Sequence, residues 1–492
     1  MDRSTLSAFV SVIGAKAVIL LVGILSTPIL VRLFTQTQYG DFAFVFSLFS
    51  LLMIVVSSGV GDGVRKFLAE DADVDHWEQH VVGFFFQMAL LFSLVGAALL
   101  VLGGYFLSGR FFKPIFQTYF IVLGILVVAA QFNNFSRRVL MGFGLERISE
   151  PLGVLDRALL WIIGLTLVYF GFGVTGLLTG FILSGTVVSV LGIVAVRDRI
   201  SLWALFTPTP SGFPKREFMT YNVLNVALIL LLTSLYHVDI LMLQPIGGSG
   251  TLGVYKGALK IAEFLWFVPM AIQSVLLHST SELWSKDATE EITQMATRTT
   301  RFVFLTTALL ALGLGALADI VVPLYLGESY TPAVVPLLIL LPGALGFALA
   351  RPILAIGQGN GAMKPLLLAT GTAAVINLGL NALLIPRYRM IGAAVATSVG
   401  YGSMFVFHAI TARHIGFDAL ADIRPVALFV TVTVSGAAIF GLNAALSQPY
   451  LRLLVVPPAG FAVFTALTIL TGAIDERELA PIFDRLPVSL SS

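Results

Sequence analysis

The sequence predicts an all-α, polytopic membrane protein of about fourteen transmembrane helices, built as two parallel six-helix lobes plus two extra carboxyl-terminal helices. Three observations predict it. Of 492 residues, 57% are hydrophobic and only 11% charged, where a soluble domain carries about 25% charged; a surface this apolar needs lipid as its solvent. Apolar runs recur along the chain, each near the roughly 20 residues a helix needs to cross about 30 Å of hydrocarbon. The runs are continuously apolar instead of alternating, which indicates helices and not barrel strands.

The runs fall near 8–31, 41–60, 81–104, 115–134, 152–171, 174–196, 221–243, 254–277, 301–323, 333–354, 366–385, 391–412, 424–444 and 452–473, hereafter spans 1 to 14. The first is too long for a signal peptide, and Met1 to Ser7 lack a multiply basic start and a small-residue cleavage site, so it reads as a retained span. The longest polar breaks, Gly61–His80, Arg197–Thr220 and His278–Thr300, leave no room for a soluble catalytic domain. With the amino terminus in the cytoplasm, 19 of the 29 Lys and Arg residues fall in inside segments and 7 in outside ones. That bias supports an even number of spans with both termini cytoplasmic.

An internal repeat at an offset of 213–216 residues orders the spans. Tyr39-Gly40-Asp41-Phe42 is echoed by Leu252-Gly253-Val254-Tyr255, Leu140 to Gly144 by Ile356 to Gly361, and Val174 to Thr179 by Met390 to Val395. Six spans per repeat is even, so both halves enter the membrane in the same sense. The predicted division is 1–200 for the first lobe, 201–220 for a cytoplasmic linker, 221–413 for the second lobe and 414–492 for spans 13 and 14 with a tail. Trp203, Leu205 and Phe206 in the linker suit either an amphipathic connector at the membrane interface or an extended loop.

Several functions are disfavoured. The net charge of +2, with no basic arm, gives no reason to expect a nucleic-acid partner. No Cys is present, which excludes disulfides and thiol chemistry. The Walker phosphate loop and the Gly-x-Ser-x-Gly and His-Glu-x-x-His motifs are missing. No catalytic residue, metal or cofactor is expected, and Asp71–Asp73 reads as a solvated acidic loop.

The segment Thr27 to Phe42, a helix end followed by a short polar turn and Tyr39-Gly40, resembles the first-loop pattern of the polysaccharide flippases in the multidrug/oligosaccharidyl-lipid/polysaccharide exporter superfamily. His237 to Leu243 with Gly253-Val254-Tyr255 resembles its second-lobe counterpart, and the likeness covers essentially the whole chain. The resemblance implies alternating access by two lobes in the cell membrane. It implies a cargo of sugars on a polyprenyl phosphate, with membrane lipids and a glycosyltransferase or polymerase of the same pathway as further partners. An ion-coupled multidrug exporter of the same superfamily and a membrane glycosyltransferase are the competing readings. Buried lysines oppose a cationic cargo, and short outside loops oppose the enzyme.

Ionisable groups inside spans are costly and therefore functional candidates. Lys16 in span 1 is a candidate phosphate ligand or a structurally paired lysine. On span 8, Lys256, Lys260 and Glu263 are spaced i, i+4, i+7 and share a helical face. Either the lysines hold the cargo's phosphate while Glu263 takes a coupling ion, or they neutralise one another. Asp239, near His237 on span 7, is a second ion-coupling candidate or part of an interfacial hydrogen-bonded pair. Arg65, with Lys66, Arg137 and Arg138, either draws the lipid phosphate to the cytoplasmic mouth or obeys the positive-inside rule. Asn377 and Asn381 bind sugar hydroxyls or pack helices, and Pro269, Pro323 and Pro342 mark kinks or helix ends.

Overall fold

The computed structural model describes residues 23–70, 75–206, 209–210, 213–220 and 223–475. Among these residues there is no strand, only an isolated bridge between Ser108 and Phe112. Ten helical stretches are long and apolar enough to cross a membrane, and the short apolar helix Gly23–Leu33 is the described end of span 1. Three of the ten, Glu146–Val196, Lys215–Ser285 and Met363–Ile415, run to 51, 71 and 53 residues. Straight helices of that size would exceed about 75 Å, far more than a bilayer's thickness. Each is instead broken in the backbone: at Gly171 and Gly173, at Gly248, and at Arg389. Side chains bridge the last of these breaks, with Thr370 and His408 at 3.0 Å and Asn377 donating to the Ala396 carbonyl at 3.2 Å. The chain is thus an all-helical, multi-pass membrane protein.

The repeat is visible in its turns. Gly173 (φ 53°, ψ −137°) ends the break between spans 5 and 6, and Arg389 (φ 49°, ψ −123°) makes the break between spans 11 and 12. Spans 4 and 10 end in the same cap: Gly144 and Gly361 both take φ 70°, and the next N–H closes back on Leu140 at 2.8 Å and on Gly357 at 3.3 Å.

Packing divides the chain into two compact units, Met1–Gly253 and Val254–Ser492. In the first, spans 5 and 6 touch at Gly164 and Gly180, where an added Cβ would lie 2.6 Å from backbone; such small-residue contacts let helices approach closely in lipid. Span 3 buries Val81, Val82, Phe85 and Ala89, and exposes Leu91, Leu94, Val95, Leu99 and Leu102 as a stripe suited to acyl chains. In the second unit, spans 10 and 12 meet at Gly346 and Gly402. Spans 13 and 14 are tied to span 9 by two ion pairs, Arg301 with Asp422 at 3.2 Å and Arg452 with Asp319 at 2.9 Å.

The helices overrun the polar breaks read from sequence. Span 2 (Gln36–Leu68) continues past Gly61 because Val64, Phe67 and Leu68 stay buried while Arg65 faces out. The span 8 helix continues to Ser285, and span 9 starts at Thr289. Arg301, at the predicted start of span 9, and Arg351, near the predicted end of span 10, are buried at 3% and 6% exposure. Within the linker, Leu202–Leu205 forms a 3-10 turn and Lys215–Thr220 a short helix. Phe218 of that helix is buried against Phe67 at 3.9 Å, Phe213 at 5.0 Å and Phe85 at 5.5 Å, which fastens the connector to the first unit. Trp203 points away from the protein, 84% exposed.

Candidate functional site

Span 8 is anchored on one side and charged on the next. Tyr255, Leu259, Ala262 and Trp266 recur at helical spacing and are all buried. The Tyr255 hydroxyl donates to Thr397 of span 12 at 3.2 Å, and the Trp266 indole N–H donates to the Ala344 carbonyl of span 10 at 3.1 Å. Trp266 also packs on Phe347 and Tyr401, with ring centroids 4.8 and 5.3 Å away. About a quarter-turn round the helix lies the face with Lys256, Lys260 and Glu263, as the spacing predicts.

The three charges form one cluster. Lys256 Nζ lies 3.3 Å from Glu263 Oε1, and Lys260 Nζ lies 3.0 Å from Oε2. Each carboxylate oxygen takes one ammonium, so the group carries one net positive charge. The side chains are only partly buried. The helix changes character at this point: Glu263–Trp266 winds as a 3-10 turn before the α-helix resumes at Phe267. Pro269 supplies a reason, because it offers no N–H to the Leu265 carbonyl four residues earlier and the helix tightens there. Span 2 breaks its regularity too, with a wide turn over Ile54–Ser58. Such irregular turns inside long helices are common at functional sites.

Lys16 lies outside the described residues. Arg65 is exposed near the end of the span 2 helix, three residues after Asp62, which pairs with Arg138 at 3.3 Å. Asp239 is fully buried in the first unit, where its Oδ1 accepts the Ile240 N–H at 2.7 Å. His237 Nδ1 pairs with Ser47 Oγ of span 2 at 2.9 Å. Within the span 11–12 hairpin Asn377 Nδ2 donates to the Ala396 carbonyl at 3.2 Å and Asn381 Nδ2 donates to Asn377 Oδ1 at 3.1 Å.

The sequence profile of a family described as "Polysaccharide biosynthesis protein" matches residues 29–335, more than half of the chain. The chain belongs to that family. No curated protein sequence matches it. Among solved structures, this family member is similar to the lipid II flippase MurJ in an inward closed conformation, with a TM-score of 0.75 at 12% identity over 96% of this chain and 100% of the other. It is similar to an inward-facing multidrug resistance MATE family transporter of the MOP superfamily, with a TM-score of 0.68 at 15% identity over 80% of this chain and 94% of that one. A MOP superfamily transporter from Pyrococcus furiosus matches with a TM-score of 0.54 at 18% identity, over 82% and 93% of the two chains. At these identities the likeness establishes the fold.

Two polar features of this family member escaped the sequence reading. In the second unit Arg351 of span 10 reaches Gln273 of span 8 at 3.3 Å and stacks over Phe347 at 4.4 Å, with His408 buried on span 12. In the first, Asp41 is buried at 4% exposure. Arg351 sits near the predicted end of span 10 and Asp41 at the predicted start of span 2, where a charge reads as interfacial. Both lie within helices that extend beyond the predicted runs, Asp41 in Gln36–Met53 and Arg351 in Val334–Gly359.

Proposed function

We propose that this protein is a flippase that carries a polyprenyl-phosphate-linked oligosaccharide across the cell membrane by alternating access, for surface polysaccharide or glycoprotein assembly. The observation that carries the reading is the Lys256–Lys260–Glu263 cluster, a net positive group on a membrane-crossing helix of a polysaccharide biosynthesis protein. A glycan head bears many hydroxyls, each costing several kcal/mol if taken unpaired into hydrocarbon, and its phosphate costs more. A lipid-linked glycan therefore needs a wet, cationic site for the head while its tail stays in lipid.

In this reading Glu263 balances the lysines when the site is empty, and the cargo phosphate competes with it for Lys260 and Lys256. Arg65 at the helix end, and Lys16, are further phosphate ligands. Exchange of one anion for another keeps the site's charge nearly constant, so the head is not bound too tightly to leave. Asp239, a carboxylate buried in a span, is the coupling-ion candidate alongside Glu263.

The test is deletion and complementation. Cells lacking the gene should accumulate a lipid-linked glycan on the cytoplasmic side, identifiable by mass spectrometry. Wild type should clear it, and Lys260→Ala or Lys256→Ala, inserted at normal levels, should not. Full clearance by both variants refutes the phosphate role. Unchanged lipid-linked glycans on deletion, with lost resistance to cationic compounds, would indicate a multidrug exporter instead.

A further inference from the structure

A second group of polar side chains is buried where span 2 begins. Asp41, Gln244 and Ser249 are 4%, 5% and 3% exposed. Two glycines bring them together. A Cβ on Gly40 would overlap the Ser249 carbonyl oxygen, and one on Gly253 would overlap the Gln36 carbonyl oxygen, so the backbones of 36–40 and 249–253 touch. Gly248, at φ 77°, turns the chain so that Gln244, just after span 7, meets Ser249 across the turn. Gln244 Nε2 donates to Ser249 Oγ at 3.0 Å, and the Ser249 hydroxyl donates to the Asp41 carboxylate.

This chain of hydrogen bonds leaves two oxygens over. Asp41 Oδ1 and Gln244 Oε1 are buried with no hydrogen-bond partner among the described residues. Turning the Gln244 amide over would only exchange its orphaned oxygen for an orphaned nitrogen. Native interiors rarely leave such atoms unmatched. The titratable groups whose fields reach Asp41 are Lys113, from the connection between spans 3 and 4, and Tyr119 of span 4.

We propose that Asp41, Gln244 and Ser249 form a binding site for a small monovalent cation, either a sodium ion or a proton. One carboxylate with a neutral amide and hydroxyl oxygen offers hard oxygen ligands and a single negative charge, which one monovalent cation neutralises. Bound between Asp41 Oδ1 and Gln244 Oε1, the cation ties the start of span 2 to the turn that follows span 7. This site is separate from Glu263 and Asp239, and it does not depend on the identity of the cargo.

The test is thermal unfolding of the purified full-length protein in detergent. Sodium chloride is titrated against choline chloride at constant ionic strength, at several pH values. A sodium-dependent rise in Tm that disappears in Asp41→Asn identifies sodium. A rise that follows falling pH, is indifferent to sodium and disappears in Asp41→Asn identifies the proton. The same dependence on both cations in wild type and Asp41→Asn overturns the proposal, as does no dependence on either. Should Asp41→Asn fail to fold, Gln244→Leu keeps the carboxylate. Its half-saturating cation concentration should rise about tenfold, and an unchanged one refutes the site. Glu263→Gln should keep the wild-type response, which separates this site from the lysine cluster.

Discussion

Replacing Glu263 with Gln should tighten phosphate binding and slow transport. The substitution keeps the side chain's size and removes its charge, so the group of two lysines goes from one net positive charge to two. Two unit charges 4 Å apart interact by about 4 kcal/mol at an effective dielectric constant of 20. The lysines are partly exposed, at 19% and 33% of their side chains, and solvent screens much of this. A residual gain of about 1.4 kcal/mol is a tenfold tighter Kd. Binding of a short-chain prenyl phosphate to purified protein, followed by intrinsic Trp fluorescence, measures it. Uptake of the same lipid into the far leaflet of proteoliposomes should fall as release slows. Equal or weaker phosphate binding in Glu263→Gln would refute the idea that Glu263 competes with the cargo, and would leave the cluster as a structural ion pair.

Three further outcomes follow from the packing. Trp266→Phe keeps the aromatic contacts and removes the indole donor to the Ala344 carbonyl, which retains its own helical bond, so the cost should be about 0.5–1.5 kcal/mol; a lower Tm with a lower transport rate is expected, and unchanged values would mean that the 3-10 turn holds itself. Arg389→Gly should raise stability by about 1 kcal/mol, because the repeat already uses Gly173 in the same backbone conformation; a lower Tm would mean that Arg389 makes a contact worth more than its strain. Phe218→Ala empties an aromatic box and should cost about 3–5 kcal/mol; loosened from the first unit, the connector should be cut by trypsin after Lys215 or Arg216, and resistance equal to wild type would refute the anchoring.

What the sequence determined by itself is what composition and local periodicity carry. An 11% charged chain with recurring apolar runs specifies crossing helices, because the cost of an unpaired peptide group in lipid leaves little choice. The repeat was legible in its glycines, since positions such as Gly144 and Gly361 require a backbone that few other residues adopt. The Lys256, Lys260 and Glu263 group was legible because neighbours on one helix face are fixed by helical geometry alone. Tertiary structure decided the rest. That one carboxylate serves both lysines, that Trp266 pins the turn beneath them, and that Phe218 fastens the connector all depend on contacts between residues far apart in the chain. Asp41 shows the reason most plainly. A carboxylate at the end of an apolar run looks solvated, and only the close approach at Gly40 and Gly253 shuts water out and leaves its oxygen in need of a partner.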